Sequence, residues 1–229
     1  VLDKLQALFD QNRLAEEDLQ KGELQFGLPA ALIILLLGGF SGRFGGYGYG
    51  FGHGGVGVLG TVLIVIVAGE RLLELVVSKR NLRWSQAHGG VEFGHSHYPF
   101  MVALHVFLLA GSLIEVWVWQ RPLIPALSWT MLALVVASQA LRWWCIVTLG
   151  RRWNTLVVII PGMPRVTGGP YRWLAHPNYV AVVIEGIALP MVGFAWMTAV
   201  IFTVLNIPLL MTRLRVENEA LATLPTEPR

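Results

Sequence analysis

The chain alternates long apolar blocks with shorter polar connections, and the length of the blocks predicts the architecture. The blocks long enough to be considered as membrane helices are Val56–Ser78, Phe100–Trp119, Leu123–Leu141 and Pro177–Thr212. About 20 consecutive apolar residues suffice to cross a bilayer as a helix. The last block is too long for one span and has Pro190 and Gly193 in its middle. It therefore predicts a helical hairpin that turns near residues 190–195.

The first quarter of the chain follows a different pattern. Residues 1–27 are polar with a single apolar stripe, which predicts an amphipathic helix in water or on the membrane surface. Leu28–Phe40 is apolar but short for a membrane span, and the glycine-rich stretch Gly38–Gly60 predicts a flexible loop. We therefore divide the chain into the N-terminal helix, a short apolar segment with the glycine-rich loop (28–56), and a membrane domain (57–229).

The composition supports a membrane protein. Hydrophobic residues make up 55% of the chain and charged residues 14%, and the mean hydropathy is +0.59. In a soluble domain, about a quarter of the residues are charged. The low charged fraction and the high hydrophobic fraction of this chain therefore exclude an ordinary cytosolic globular protein and a disordered chain. The predicted fold class is all-α, a polytopic bundle of about five to six membrane segments. The single cysteine, Cys145, excludes a disulfide framework and any cysteine-rich metal site.

The basic residues between the apolar blocks indicate the orientation of the bundle. They cluster in two predicted loops, 79–98 and 142–176, whereas the turn near Arg121 holds a single base. The basic residues of the two loops are Lys79, Arg80, Arg83, Arg142, Arg151, Arg152, Arg165 and Arg172. Because loops rich in lysine and arginine stay on the cytoplasmic side, both loops are predicted to face the cytosol.

The long connection from Leu149 to Tyr179 is the first candidate for a functional site. Its GGPY turn, which begins at Gly168, allows a ligand to approach backbone N–H groups closely. Its HPNY segment places the His176 imidazole at the start of the next helix, where free N–H groups favour an anionic group. Long ordered loops in compact proteins tend to be functional, so we predict a ligand-binding loop on the cytosolic side.

Ionisable residues on the apolar blocks are the second candidate. Arg213 and Glu217 are four residues apart and share one helix face at the exit of the hairpin. Such groups at a membrane boundary mark function or form a plain interfacial ion pair, and residue types alone favour neither. Glu115 is expected at the interface, and Glu185 is expected to be paired or to line a polar pocket. For His105, a role as a hydrogen-bonded packing residue is favoured over a functional one, and both stay open.

Several segments together resemble the isoprenylcysteine carboxyl methyltransferase family. The motifs that carry the resemblance are LGRRWNT, GGPYRWLAHPNY and RLRVENEAL, preceded by ERLLELVVSKRN, HGGVEFGHSHYP and SQALRWW. The resemblance covers roughly residues 57–221. The upstream motifs are similar to a bacterial branch that often accompanies type III polyketide synthases and methylates alkylpyrones or alkylresorcinols. The resemblance implies a methyltransferase of the bacterial inner membrane that uses S-adenosylmethionine and has its active site facing the cytosol.

The resemblance also implies roles for individual residues. The implied cofactor-binding residues are Trp153, Gly169, Pro170, Tyr171, His176, Pro177, Tyr179 and Glu217. The implied catalytic residues are Arg213, Glu217 and His176. We expect Glu74, His105 and Arg142 to contact the substrate, and no metal to be involved. Aromatic faces attract cations, so Tyr171, Tyr179 or Trp153 would face the sulfonium.

Two positions depart from the pattern of that family. Ala175 stands where an arginine usually precedes His-Pro, which removes an anion contact that Arg172 could replace. Asn218 stands where the second of two adjacent glutamates is usual, which puts the role of that glutamate in doubt and leaves Glu217.

The methyl acceptor stays open between two classes of lipophilic small molecule. A carboxylate is already ionised and needs only a cation such as Arg213 to orient it. A phenol or enol needs a base, for which Glu217 or His176 could serve, and the upstream motifs favour this second class. The expected partners are this lipophilic substrate and the membrane lipids, with no nucleic acid. The oligomeric state is left open.

Other classes of protein compete with this interpretation. A membrane reductase of the sterol type has a similar C-terminal half and uses NADPH. A non-catalytic membrane protein or a transporter is a third possibility, although a transporter tends to show inverted repeats that this chain lacks. A metal site among the six histidines is disfavoured because HSH is the only tight histidine cluster. A protein that binds S-adenosylhomocysteine and does not bind NADPH would be a methyltransferase and not a reductase.

Overall fold

The structure is a computed structural model that describes the backbone of residues 54–122 and 124–224, with side chains from Gly60 onward. The predictions for residues 1–27, for Leu28–Phe40 and for the glycine-rich stretch before Gly54 lie outside these residues. The described part contains five α-helices: α1 (Gly54–Ala87), α2 (Tyr98–Trp119), α3 (Pro125–Leu149), α4 (Pro177–Val192) and α5 (Trp196–Leu221). The all-α membrane fold class is thereby confirmed.

Three of these helices are long and apolar enough to cross a membrane. They are Tyr98–Trp119, Pro125–Arg152, which joins α3 to the short turn after it, and Trp196–Leu221. Helix α4 is apolar but has only 16 residues, fewer than a full span needs. Within the described residues, length and composition thus support three full spans, against the five to six segments predicted for the whole chain.

Two helices extend further than the apolar pattern predicts. Helix α1 begins at Gly54, so the prediction of a loop is wrong for Gly54–Gly60, and it continues to Ala87 through Lys79 and Arg83. Helix α3 continues to Leu149, so Arg142 is buried on a helix and not part of a loop. The pattern marks where hydropathy falls, but the intrahelical hydrogen bonds continue beyond that point because each helical residue adds one.

The predicted hairpin is present, and close contact between α4 and α5 explains its geometry. Helix α4 ends at Val192, and α5 begins four residues later at Trp196. Phe202 of α5 packs so closely on Gly186 that a Cβ there would lie 2.2 Å from its ring. Any larger residue at position 186 would separate the two helices. Phe202 also joins the buried Leu104 and Leu108 of α2 in one apolar cluster.

Glu115, which is expected at the membrane interface, is buried against its protein neighbours near the end of α2, with 4% exposure. Its carboxylate accepts hydrogen bonds from the backbone N–H groups of Met197 (3.1 Å) and Thr198 (2.7 Å) and pairs with Arg121. The first turn of a helix has unsatisfied N–H groups and a positive dipole end, which an anion stabilises. Glu115 therefore caps α5 from a neighbouring helix, a contact that its position in an apolar block does not reveal.

A small antiparallel ribbon, absent from the prediction, lies beside the end of α5. Strand β1 (Val91–Phe93) pairs with β2 (Val157–Ile159), with Glu92 opposite Val158. Val157 and Ile159 pack against Ala220 near the end of α5. Each strand has three residues, which is too short for a periodic signal in the sequence. The ribbon holds the connection between α3 and α4 over the end of α5.

Candidate functional site

A cavity lies between the connection from α3 to α4, the start of α4 and the end of α5. Its empty space measures about 990 Å³, including the part open to solvent. Six residues with predicted roles line it: Trp153, Tyr171, His176, Tyr179, Arg213 and Glu217. The structure thus brings together residues that are up to 64 positions apart in the sequence.

Arg213 is buried at the base of this cavity and held in one orientation. Its Nε donates a hydrogen bond to the Tyr179 hydroxyl at 2.7 Å, and its Nη2 donates to the backbone oxygen of Thr155 at 2.7 Å. The third nitrogen, Nη1, points at the sulfur of Met101, 3.4 Å away. Three of its five N–H donors therefore have partners in the protein, which fixes the orientation of the positive charge and leaves fewer donors for a further bidentate contact.

Glu217 lies one helical turn beyond Arg213, on the same face of α5, as the spacing predicts. Its Oε2 accepts a hydrogen bond from the Tyr179 hydroxyl, and its Oε1 lies 3.3 Å from His176 Nδ1. Tyr179 therefore connects the guanidinium of Arg213 with the carboxylate of Glu217. The three side chains form one chain of charge-assisted hydrogen bonds.

His176 precedes the first residue of α4 and contacts an oxygen atom at each ring nitrogen. Nδ1 faces Glu217, and Nε2 lies 2.8 Å from Asn218 Oδ1, while the ring stacks on Tyr179 at 5.6 Å. The hydrogen bond to Glu217 raises the pKa of His176 above its ordinary value, and the bond to Asn218 adds to this effect. Two acceptors at the two nitrogens stabilise the imidazolium, because only that form donates from both.

Thr155 is a position in the site that the sequence analysis missed. Its backbone oxygen holds Arg213, its hydroxyl lies 2.8 Å from Ser78 Oγ of α1, and Tyr98 of α2 approaches the same hydroxyl at 3.2 Å. Asn81 adds a hydrogen bond of 2.7 Å from its side-chain amide to the backbone oxygen of Trp153. The WNT sequence belongs to the LGRRWNT motif, which resembles the family, but nothing in that motif indicates that α1 fixes this segment.

The GGPY turn shapes the cavity mainly through its backbone. Gly169 has a φ of +55°, and a Cβ there would lie 2.4 Å from Thr148 Oγ1, so only glycine fits. Pro170 and Pro177 are fully buried, and neither they nor Gly169 line the cavity. Tyr171 does line it, and burial raises the pKa of its hydroxyl, which stays protonated. Gly169, Pro170 and Pro177 therefore shape the wall without forming its surface, and Tyr171 is the residue of this turn that lines the cavity.

The two departures from the family pattern have structural counterparts. Ala175 lines the cavity with a methyl group, and Arg172, which the sequence analysis offers as a substitute cation, is exposed and does not line it. Asn218 still contributes to the site, because its side chain contacts His176 Nε2.

The predicted substrate residues Glu74 and Arg142 lie in a second group that does not line the cavity. Arg142 Nη2 forms a buried ion pair with Glu185 Oε2 at 2.6 Å, and Arg71 pairs with Glu74 at 2.7 Å. Arg71 also lies 3.5 Å from Glu185 and donates a hydrogen bond of 2.9 Å to Gln139. Glu185 is therefore paired, one of the two outcomes expected for it. We call this group, with Gln139, the bundle network.

The third predicted substrate residue, His105, packs within the bundle. Its Nδ1 lies 2.7 Å from the backbone oxygen of Met101, one turn earlier, and its ring meets Phe202 edge-on at 5.7 Å. His105 does not line the cavity either. Its surroundings fit the packing interpretation, and a contact with substrate stays a prediction. Across residues 54–122 and 124–224, no three histidine, cysteine or acidic side chains form a group suited to a metal ion.

Comparisons with known proteins identify the family. The sequence model of the isoprenylcysteine carboxyl methyltransferase family matches residues 131–223. An uncharacterized protein of Bacillus subtilis (strain 168), YpbQ, is 35% identical over 161 residues, which are 70% of this chain and 95% of the relative. The chain belongs to the isoprenylcysteine carboxyl methyltransferase family. No solved structure matches it.

Family membership confirms the resemblance seen in the sequence and indicates a membrane methyltransferase. The matched region includes all six predicted residues that line the cavity, whereas Glu74 and His105 lie outside it. With three helices that can span a bilayer, the chain is an integral membrane protein.

Proposed function

We propose that the protein is an S-adenosylmethionine-dependent O-methyltransferase that acts on a phenolic or enolic lipid. The observation that carries the proposal is the cavity lined by His176, Tyr179, Arg213 and Glu217 at one end of a bundle of membrane-spanning helices. A cavity at this position is accessible to a polar donor from water and to a lipophilic acceptor from the bilayer.

The residues present fit such a donor. Asn154 and Asn178 line the cavity, and each has a buried Oδ1 without a partner in the described part of the protein. Buried acceptors of this kind are costly unless a ligand donates to them, as ribose hydroxyls or an adenine amino group would. Glu217 offers a negative charge and Tyr179 an aromatic face, which suit the ammonium and sulfonium groups. The donor supplies an electrophilic methyl group, which needs no metal.

The state of Arg213 favours a hydroxyl acceptor over a carboxylate. Its guanidinium is already bonded to Tyr179 and Thr155, so it is poorly placed to grip a carboxylate in two-point fashion. A phenol or enol instead needs a proton acceptor. The two oxygen partners of His176 favour its protonated form, so we assign the role of accepting the hydroxyl proton to the carboxylate of Glu217. Arg213 then stabilises the charge of Glu217 through Tyr179.

The distribution of basic residues supports a cytosolic site in a bacterial inner membrane. Arg152 and Arg165 line the cavity, and Arg151 stacks on Trp84 at the end of α1, 5.9 Å from its ring. At the opposite end of α2, Arg121 is the one base that residues 54–122 and 124–224 place there, and it is paired with Glu115. Positive charge concentrated at the end with the cavity favours that end as the cytoplasmic one.

Two measurements on the purified protein in detergent or nanodiscs test the proposal. Calorimetry should show binding of S-adenosylhomocysteine and no binding of NADPH. Incubation with a methyl-labelled donor should then label an alkylresorcinol or alkylpyrone and not a prenylcysteine. Binding of NADPH alone would support the reductase alternative, and labelling of the prenylcysteine would overturn the choice of acceptor. Absence of both kinds of binding would contradict an enzyme of either class.

A further inference from the structure

The cavity wall carries three guanidinium groups, and two of them donate hydrogen bonds to other groups of the protein. Arg213 is bonded to Tyr179 and Thr155, and Arg152 donates a hydrogen bond of 2.8 Å from its Nη1 to the backbone oxygen of Pro164. Arg165 is different. Although it is partly buried on the cavity wall, its side chain has no hydrogen bond or ion pair with any residue that the structure describes.

The position of Arg165 is defined by its neighbours. It lines the same cavity as Ala175 and His176, and its positive charge reaches the imidazole, where it opposes the dominant effect of Glu217 on the pKa of His176. Ala175 contributes only a methyl group at this point of the wall. The cavity therefore has a carboxylate, Glu217, on one side of His176 and an uncommitted cation within electrostatic range of the same ring.

We propose that Arg165 binds the carboxylate of the methyl donor's amino-acid moiety. The inference rests on the proposed function, because it assumes a donor that carries both an ammonium and a carboxylate. A guanidinium with free N–H donors matches the two oxygens of a carboxylate, and the opposite charge of Glu217 suits the ammonium. Arg165 is thus a donor-positioning residue on the connection between α3 and α4, where no resembling motif marks it.

Arg172 provides a matched control. It is an arginine of the same connection, seven residues later, but it is exposed and does not line the cavity. If only a general positive charge were needed, neutralising either arginine would weaken donor binding equally. If Arg165 makes the contact, Arg165→Gln should weaken binding and Arg172→Gln should not.

The experiment is a titration of the purified full-length protein with two probes. The first is S-adenosylhomocysteine, and the second is its decarboxylated analogue, which lacks only the carboxylate. Loss of a hydrogen bond to a charged group corresponds to about a tenfold or greater change in affinity. We expect Arg165→Gln to raise the Kd of the first probe by about that factor and to leave the Kd of the second unchanged, with Arg165→Lys intermediate.

The outcomes separate this inference from the proposed function. If the wild type binds S-adenosylhomocysteine and Arg165→Gln binds it equally well, the inference is overturned while the proposed function stands. A loss that is equal for both probes would also overturn it, since a carboxylate contact cannot weaken the decarboxylated analogue. If the wild type binds neither probe, the proposed function fails and this inference fails with it. Equal melting temperatures of ligand-free wild type and variant show that folding is not the cause.

Discussion

The cavity and the bundle network use the same side chains, arginine and glutamate, in opposite ways. In the bundle network, Arg142 and Glu185 are buried and paired with each other, and Arg71 bonds to Glu74 and Gln139. In the cavity, Arg213 and Glu217 are separated by Tyr179, and Glu217 keeps an edge toward the open space. A direct pair neutralises its charges, whereas the hydroxyl between Arg213 and Glu217 keeps the carboxylate of Glu217 from being neutralised by direct contact and leaves it on the cavity wall. The bundle network and the cavity therefore differ in how arginine and glutamate are paired and not in residue type.

The largest expected effect comes from breaking the bundle network. Glu185→Leu leaves Arg142 buried, with Glu74 as the nearest acid at 3.8 Å, and removing one partner of a buried pair costs about 3–5 kcal/mol. We expect a large loss of unfolding free energy, measured by thermal or denaturant unfolding in detergent. The double variant Glu185→Leu/Arg142→Met should recover much of it. A single variant as stable as the wild type would contradict a stabilising network.

Glu217→Gln should have the largest effect on catalysis. Loss of the proton acceptor is expected to lower kcat/KM by about 100-fold, at the lower end of general-base contributions. Initial rates with a labelled donor provide the measurement. Glu219→Gln is the matched control, because Glu219 is exposed on the same helix and does not line the cavity. If the two variants lost activity equally, the cavity would not be the active site.

Tyr179→Phe tests the link between the two charges. The variant removes the hydroxyl that accepts from Arg213 Nε and donates to Glu217, so a buried N–H donor loses its partner. We expect a cost of about 1–3 kcal/mol in unfolding free energy and weaker donor binding. Tyr98→Phe is the comparison, since its hydroxyl faces only the neutral Thr155 hydroxyl at 3.2 Å. A larger loss in Tyr98→Phe would refute the importance of this link.

The smallest expected effect is the pH dependence of His176. Its pKa is raised in the folded protein, chiefly by the hydrogen bond to Glu217, so the imidazolium stabilises the fold below the unfolded pKa near 6.5. This contribution disappears as the pH rises through the higher folded pKa. The difference in melting temperature between wild type and His176→Gln should therefore be greatest at mildly acidic pH and shrink toward alkaline pH. The same comparison in a Glu217→Gln background should lose most of this trend.

The apolar pattern predicted the parts of the fold that depend on local sequence. The helical hairpin, the breaks between spans and the shared face of Arg213 and Glu217 follow from block length, proline and glycine positions and the helical period. Helix ends were less predictable, because helices α1 and α3 continue into polar sequence. The three-residue strands carry too short a signal to be predicted at all.

The candidate site was predictable only where one segment carries the chemistry. His176 and Tyr179 lie in one short segment. Their place at the start of α4 follows from Pro177, because proline is favoured at the first position of a helix. Thr155, Ser78 and Asn81 were missed because their roles arise from contacts between residues about 70 positions apart. Arg142 was assigned to a cytosolic loop because its ion-pair partner, Glu185, is distant in the sequence. Only the three-dimensional structure shows that the two residues pair inside the bundle.

Because Glu115 caps the start of α5, this helix is held in place at both of its ends. Its first turn is fastened by Glu115, and its last turns are fastened by the contacts of Arg213 with Thr155 and of Glu217 with His176. About 30 Å of helix separates these ends, and each inserted residue would turn one end by about 100° relative to the other. Substitutions along the lipid-facing side of α5 should therefore be tolerated in evolution far better than any insertion or deletion within it.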